Sequence, residues 1–118
     1  NPKDVDHILL FGLIRQESGS DPKARSAVGA RGLMQLMPYT ARIISRSLAQ
    51  DLSNPEKNIQ VGSTYLKKLL DKYDNNLVFS LAAYNAGDHR VNSWMKTYFK
   101  YDSIFVYLKV GSLYSGLK

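Results

Sequence analysis

Between Val5 and Gln16 the chain reads Val-Asp-His-Ile-Leu-Leu-Phe-Gly-Leu-Ile-Arg-Gln, and no other segment constrains the fold as strongly. Val5, Ile8, Leu9, Gly12, Leu13 and Gln16 fall on one face at helical spacing, while Leu10, Phe11 and Ile14 cover the others. A helix apolar nearly all round is expected to be central and buried. It should run from near Asp4 to near Ser18. Pro2 precedes it, Asp4 and Asp6 suit the positive end of its dipole, and Gly19 is a plausible stop. With 118 residues the chain holds one domain's worth of core, so a single domain over residues 1–118 is expected around this helix. Because the first residue is Asn, that domain reads as a piece cut from a longer or processed protein.

The rest of the pattern is also helical. Ser20 to Arg31, with Pro22 and Gly29, reads as an irregular loop. A short helical piece is expected at Leu33 to Leu36, stopped by Pro38, and another helix from about Thr40 to Ala49. Asn54-Pro55 should open a longer helix, with Asn as cap and Pro in the first position. Its inner face would be Ile59, Gly62, Leu66, Leu69, Leu70 and Tyr73. After a turn at Asp74-Asn75-Asn76, a compact helix from Leu77 to Asn85 should end at Gly87. Two more helices are expected, near Arg90 to Lys100 and Ile104 to Tyr114. The fold class is therefore all-α, with little or no sheet.

Composition removes several function classes. The absence of cysteine excludes disulfides, thiolate zinc sites and cysteine nucleophiles. No apolar run approaches the roughly 18 residues needed to span a membrane. The formal net charge of +6 points to an anionic partner, but the basic residues are scattered and no nucleic-acid motif accompanies them. His7 and His89 lack ligand spacing and read as surface residues, and no metal site is expected.

The acids separate by position. Glu56 and Asp4, Asp6, Asp51, Asp71 and Asp74 sit at helix starts or turns, where a surface charge is the ordinary explanation; Asp88 also reads as a turn residue. Glu17 instead closes the apolar helix. Desolvation and the negative end of the helix dipole both disfavour its charged form, as a general acid requires. An exposed Glu at a frayed helix end is the bland alternative.

The neighbouring residues sharpen the reading. Glu17-Ser18-Gly19 is followed by Pro22, Ala24, Ser26 and Gly29, then by Gly32-Leu33-Met34-Gln35-Leu36-Met37-Pro38 and Thr40-Ala41. Farther on stands Ala82-Ala83-Tyr84-Asn85-Ala86-Gly87, with Arg90, Val91 and Trp94 beyond. These motifs, in this order, resemble the catalytic domain of soluble lytic transglycosylases, a branch of the lysozyme-like superfamily. The resemblance covers about Val5 to Trp94. It implies a goose-type lysozyme-like helical fold and an enzyme of the bacterial envelope or periplasm, or one delivered there by a secretion apparatus or phage.

The resemblance also implies roles for individual residues. Glu17 corresponds to the catalytic acid and Tyr84 to a tyrosine whose hydroxyl hydrogen-bonds it. Ser26 would orient the acid or the sugar, Gln35 and Met37 would line the glycan groove, and Asn85 would reach the acetamido region. Gly32 would permit a tight turn beside the substrate. Met34 falls between groove lining and core filler, Tyr84 has the alternative of a packed aromatic, and Trp94 suits the core. The implied reaction cleaves the MurNAc–GlcNAc bond of peptidoglycan without water, using Glu17 alone, no metal and no organic cofactor. A muramidase that uses water, or a non-catalytic glycan-binding module on the same fold, are the alternatives. The sequence departs from the family pattern at Ser20, at Asp88-His89 and in the segment around Asp102-Ser103 and Val106-Tyr107.

Overall fold

The computed structural model describes residues 5–98, with side chains to residue 96. The expected helix at Ile104 to Tyr114 and the divergent segment around Asp102 lie outside the described residues. Five α-helices follow one another among the described residues: α1 (His7–Ser18), α2 (Pro38–Ile44), α3 (Pro55–Lys72), α4 (Leu77–Ala86) and α5 (Asp88–Tyr98). One 3₁₀ turn, Leu48–Asp51, stands between α2 and α3. Extended pairing among these residues is limited to two isolated antiparallel bridges, Arg25 with Arg31 and Arg31 with Leu36. The described residues form two compact units, divided between Lys67 and Lys68.

In the first unit, α1 is set by its caps. The Asp6 carboxylate accepts hydrogen bonds from the Ile8 and Leu9 N–H groups, at 2.7 and 3.4 Å, satisfying donors the first turn leaves open. At the far end Gly19 turns left-handed (φ 63°) and its N–H returns to the Arg15 carbonyl. The buried stripe is Leu10, Leu13 and Ile14, whereas Ile8 and Phe11 are 83% and 65% exposed. The helix is therefore not buried all round. With apolar residues on every side, periodicity could not choose which stripe meets the core. Pro38 begins α2 instead of merely stopping a preceding helix, since its missing N–H and fixed φ suit the first helical turn. The stretch expected as one helix to Ala49 divides into α2 and the 3₁₀ turn. Asn54 caps α3 as expected, accepting from the Lys57 N–H at 3.1 Å.

The second unit is built on α4 and α5, which pack together, and on the last turn of α3. Asp74 and Asn75 adopt left-handed conformations, after which Asn76 caps α4 through its side chain. The Ser80 hydroxyl donates to the Asn76 carbonyl at 2.8 Å, so a buried polar side chain is satisfied inside the unit. The rings of Tyr73 and Phe79 meet edge to face with centroids 6.2 Å apart, and the Tyr73 hydroxyl donates to Asn92 on α5.

Asp88 is not a simple turn residue: it opens α5 and pairs with Lys72 at 2.7 Å. The Lys72 hydrogen bond holds the Asp88 carboxyl below its ordinary value, and the same contact raises Lys72. The depressed carboxyl contributes stability that is complete above the unfolded carboxylate range and is lost as pH falls through the folded value. The raised lysine contributes below its unfolded value and loses that contribution as pH rises through the folded one. Both side chains are about half exposed, so solvent screening keeps the pair weak. Asp88→Asn should cost about 0.2–1 kcal/mol at neutral pH. In denaturant titrations the loss should shrink in high salt and disappear in strong acid.

Candidate active site

Glu17 lies in the last turn of α1, one residue before the helix ends at Ser18. The chain leaves the helix abruptly: Gly19 and Ser20 both have positive φ. The Ser18 hydroxyl donates to the Ile14 carbonyl at 3.0 Å and accepts from the Ser20 N–H at 3.1 Å, bracing the exit. Although Glu17 as a residue is half-buried, both of its carboxyl oxygens are buried. The negatively polarised helix end and removal from water therefore act together at one carboxyl.

The loop after α1 is knitted by its own backbone. Ser26 and Ala30 exchange two bonds, the Ser26 N–H donating to the Ala30 carbonyl and the Ala30 N–H to the Ser26 hydroxyl, each at 3.0 Å. Arg31 and Leu36 exchange backbone bonds at 2.9 and 3.0 Å around a tight turn. The short helix expected at Leu33 to Leu36 is absent because that turn needs left-handed backbone at both Gly32 (φ 76°) and Gln35 (φ 48°). Gln35 stabilises its own unusual conformation: its buried Nε2 donates to the carbonyls of Gly32 and Ala24, at 2.9 and 3.1 Å.

Asn58, on α3, fastens this turn to the unit. Its Oδ1 accepts from the Met34 N–H at 2.8 Å, and its Nδ2 donates to the carbonyls of Arg31 and Leu52, both at 2.9 Å. A Cβ added at Gly32 would strike the Asn58 amide and the Leu52 carbonyl, so glycine is required there by space as well as by φ. Met34 is fully buried with its side chain against Gly62. Of its two sequence readings, the structure supports core filler: no surface of Met34 is open to a glycan. Met37, by contrast, is 37% exposed at the start of α2.

In the second unit, Tyr84 is 4% exposed on α4 and Asn85 follows it, two residues before Gly87 (φ 94°) ends the helix. Both Asn85 amide atoms, Oδ1 and Nδ2, are buried and find no hydrogen-bond partner among the described residues. Such a group costs about 1–3 kcal/mol if it stays unpaired. Trp94 is half-buried, His7 and His89 are exposed, and Glu56 is an exposed acid in the first turn of α3. Among the described residues no three His, Cys, Asp or Glu side chains cluster as metal ligands.

Within the first unit, then, Ser26, Gly32 and Gln35 share one hydrogen-bonded loop. Sequence reasoning missed Asn58. The available signal was a polar residue interrupting the inner face of α3 between Asn54 and Gly62.

A family model described as the transglycosylase SLT domain matches residues 1–104. The soluble lytic murein transglycosylase of Escherichia coli strain K12 is 42% identical over 100 residues, which is 79% of this chain and 16% of that protein. The crystal structure of the 70 kDa soluble lytic transglycosylase of Escherichia coli superposes with a TM-score of 0.83 at 33% identity. It covers 96% of this chain and 20% of its own. The lytic transglycosylase Slt of Pseudomonas aeruginosa, solved as an inactive Glu-to-Gln mutant, matches with a TM-score of 0.71 at 42% identity, covering 78% of this chain and 16% of its own. The chain thus spans about one sixth of the length of these soluble lytic murein transglycosylases. The described residues have the all-helical class that the pattern predicted, and the fold is the lysozyme-like one that the resemblance implied.

Replacing Asn58 by Leu should take their partner from the Met34 N–H and the Leu52 carbonyl, while the Arg31 carbonyl keeps its bond from Leu36. At about 1–3 kcal/mol per unpaired group, the loss should be about 2 kcal/mol or more. Urea unfolding of the variant checks this; a loss below about 1 kcal/mol would show that water replaces the amide.

Proposed function

The chain belongs to the transglycosylase SLT domain family, and from that premise we propose that it cleaves the MurNAc–GlcNAc β-1,4 bond of peptidoglycan without consuming water. The products carry 1,6-anhydroMurNAc ends. The observation that carries this reading is the single carboxyl of Glu17, with both oxygens buried at the negative end of α1. Burial in that field favours the protonated form, which a general acid must hold before the reaction starts.

The chemistry follows from one carboxyl used twice. Glu17 donates its proton to the bridging oxygen as the bond from that oxygen to MurNAc C1 breaks. The acetamido oxygen of the same MurNAc stabilises the electron-poor C1 from the opposite face. Glu17, now a carboxylate, removes the proton from the C6 hydroxyl, and O6 closes onto C1. The proton is returned, so the enzyme is regenerated. Two-carboxylate hydrolysis needs a second acid near the bond. The other acids flanking the site loop, Asp21 and Asp51, are exposed and accept hydrogen bonds from the Lys23 N–H and the Ser53 hydroxyl. Neither has the environment of a paired catalytic carboxyl.

Asn85 and Tyr84 complete the reading. An amide with both its donor and its acceptor buried and unused complements an N-acetyl group, which presents one carbonyl and one N–H. On the family resemblance, Tyr84, buried one residue earlier on α4, would position the acid. Ser26 and buried Gln35 support the loop, and Met37, exposed at the start of α2, would border the groove. The natural setting of such an activity is the bacterial cell envelope, and the +6 charge suits an anionic wall.

Glu17→Gln should preserve the fold and lower release of anhydro-muropeptides from purified peptidoglycan by about 10²–10⁴-fold or more. Thermal melting and mass analysis of the digest, run side by side, check it; products heavier by one water would mark a muramidase instead. Tyr84→Phe should lower turnover proportionately more than it lowers the melting temperature. Unchanged turnover would remove its hydroxyl from the reaction.

A further inference from the structure

We propose that the outer face of α2 is a docking surface for an anionic phospholipid membrane. A helix turns about 100° per residue, so Tyr39 and Ile43 stand one turn apart on one side of α2 and Ala41 on the opposite side. Ala41 is fully buried, which fixes the back of the helix against its unit. Tyr39 and Ile43 are 69% and 61% exposed. Scattered exposed apolar residues are ordinary, but these two form one patch on one short helix.

The charges around the patch choose its occupant. Arg42 precedes Ile43 on α2 and Arg46 follows the Ser45 cap, and both are exposed. Neither arginine has an ion pair or a side-chain hydrogen bond among the described residues. From Leu33 to Gln50 the chain carries these two cations and no acid. The 3₁₀ turn packed on α2 brings one acid, Asp51, whose carboxylate accepts from the Ser53 hydroxyl.

A soluble polyanion would satisfy the guanidinium groups and leave Tyr39 and Ile43 in water. A neutral apolar partner would cover Tyr39 and Ile43 but strip water from the arginines at a cost. A layer of anionic headgroups above hydrocarbon meets both demands. Tyrosine suits that boundary because its ring is apolar and its hydroxyl polar. Isoleucine can enter the acyl region, while arginine keeps its stem among apolar groups and its fork on phosphate oxygens. With 7 residues α2 is about 10 Å long, a length that lies flat at an interface. Attachment through one such face is reversible and weakens as salt screens the headgroups. It holds the first unit close to a membrane surface and does not depend on the chemistry at Glu17.

Sedimentation with sucrose-loaded vesicles tests the assignment. The wild-type chain should bind vesicles of equal parts phosphatidylglycerol and phosphatidylcholine, and bind pure phosphatidylcholine about tenfold more weakly or less. Arg42→Gln combined with Arg46→Gln should weaken binding to the anionic vesicles about twentyfold, at about fivefold per arginine. Tyr39→Ser combined with Ile43→Ser should weaken it about tenfold or more. Ile8→Ser, at an exposed apolar position on α1, should leave it unchanged. The replaced side chains are all exposed, so melting temperatures should hold. If a double variant does not fold, Arg46→Gln, placed after the end of α2, decides with a loss of about fivefold. Unchanged affinity in the folded variants, or equal affinity for neutral vesicles, overturns the proposal. Binding to purified sacculi that both double variants lose, with no wild-type binding to vesicles, gives the face to a wall polymer and equally overturns it. Release of anhydro-muropeptides from soluble strand fragments should be the same in every variant. A wild-type digest without anhydro products would remove the transglycosylase reading and leave the vesicle result to judge α2.

Discussion

The loop that follows α1 has almost no regular structure, and it keeps its shape because one buried amide, that of Asn58, binds three of its surrounding backbone groups. A loop cannot bury its polar backbone unless partners are supplied. Asn58 supplies an acceptor to Met34 and donors to Arg31 and Leu52, joining the turn, the approach to α3 and α3 itself at one point. Gly32 follows from this, because any side chain there would displace the amide. So does the burial of Met34, whose N–H is drawn in and whose side chain then fills the space left by Gly62. Side chains on helices are placed more precisely than side chains on loops. Here a helix residue lends that precision to a loop.

The elements most legible in the sequence were those with local chemical signals. The Asn54 cap, the Gly19 and Gly87 stops and the turn at Asp74-Asn75-Asn76 are short-range hydrogen-bond solutions, and each appears where the residue types predicted it, whereas Asp6, expected only as a charge at the helix dipole, is the N-cap itself. Less legible were features decided by partners distant in sequence. Whether Ile8 or Leu10 faced inward could not be read from a helix with apolar residues on every side. The tight turn at Gly32 to Gln35 looked helical because Leu33, Met34 and Leu36 are good helix formers, yet Asn58, over twenty residues away, overrides that preference.

The candidate site divides in the same way. Glu17 stood out because position on a helix and chemistry agree at the level of a few residues. Asn85 was legible only through the Ala-Ala-Tyr-Asn-Ala-Gly motif; its buried and unused amide is a property of packing. Gln35 shows that one residue can serve two readings, since its amide nitrogen is committed to the loop whatever its remaining oxygen meets.

The different settings of the two methionines that flank Gln35 carry a consequence for the chemical durability of the domain. Met34 presses its thioether against the backbone of α3 at Gly62, while Met37 presents its own to solvent. Oxidation to the sulfoxide requires access and converts an apolar side chain to a polar one. An oxidant will therefore modify Met37 first, at the rim of the loop, where a polar oxygen is readily hydrated. It can reach Met34 only when α3 and the loop separate. Damage to this domain under oxidative stress is thus staged, beginning at a position the fold can tolerate and reaching the core only after the Asn58 contacts have already opened.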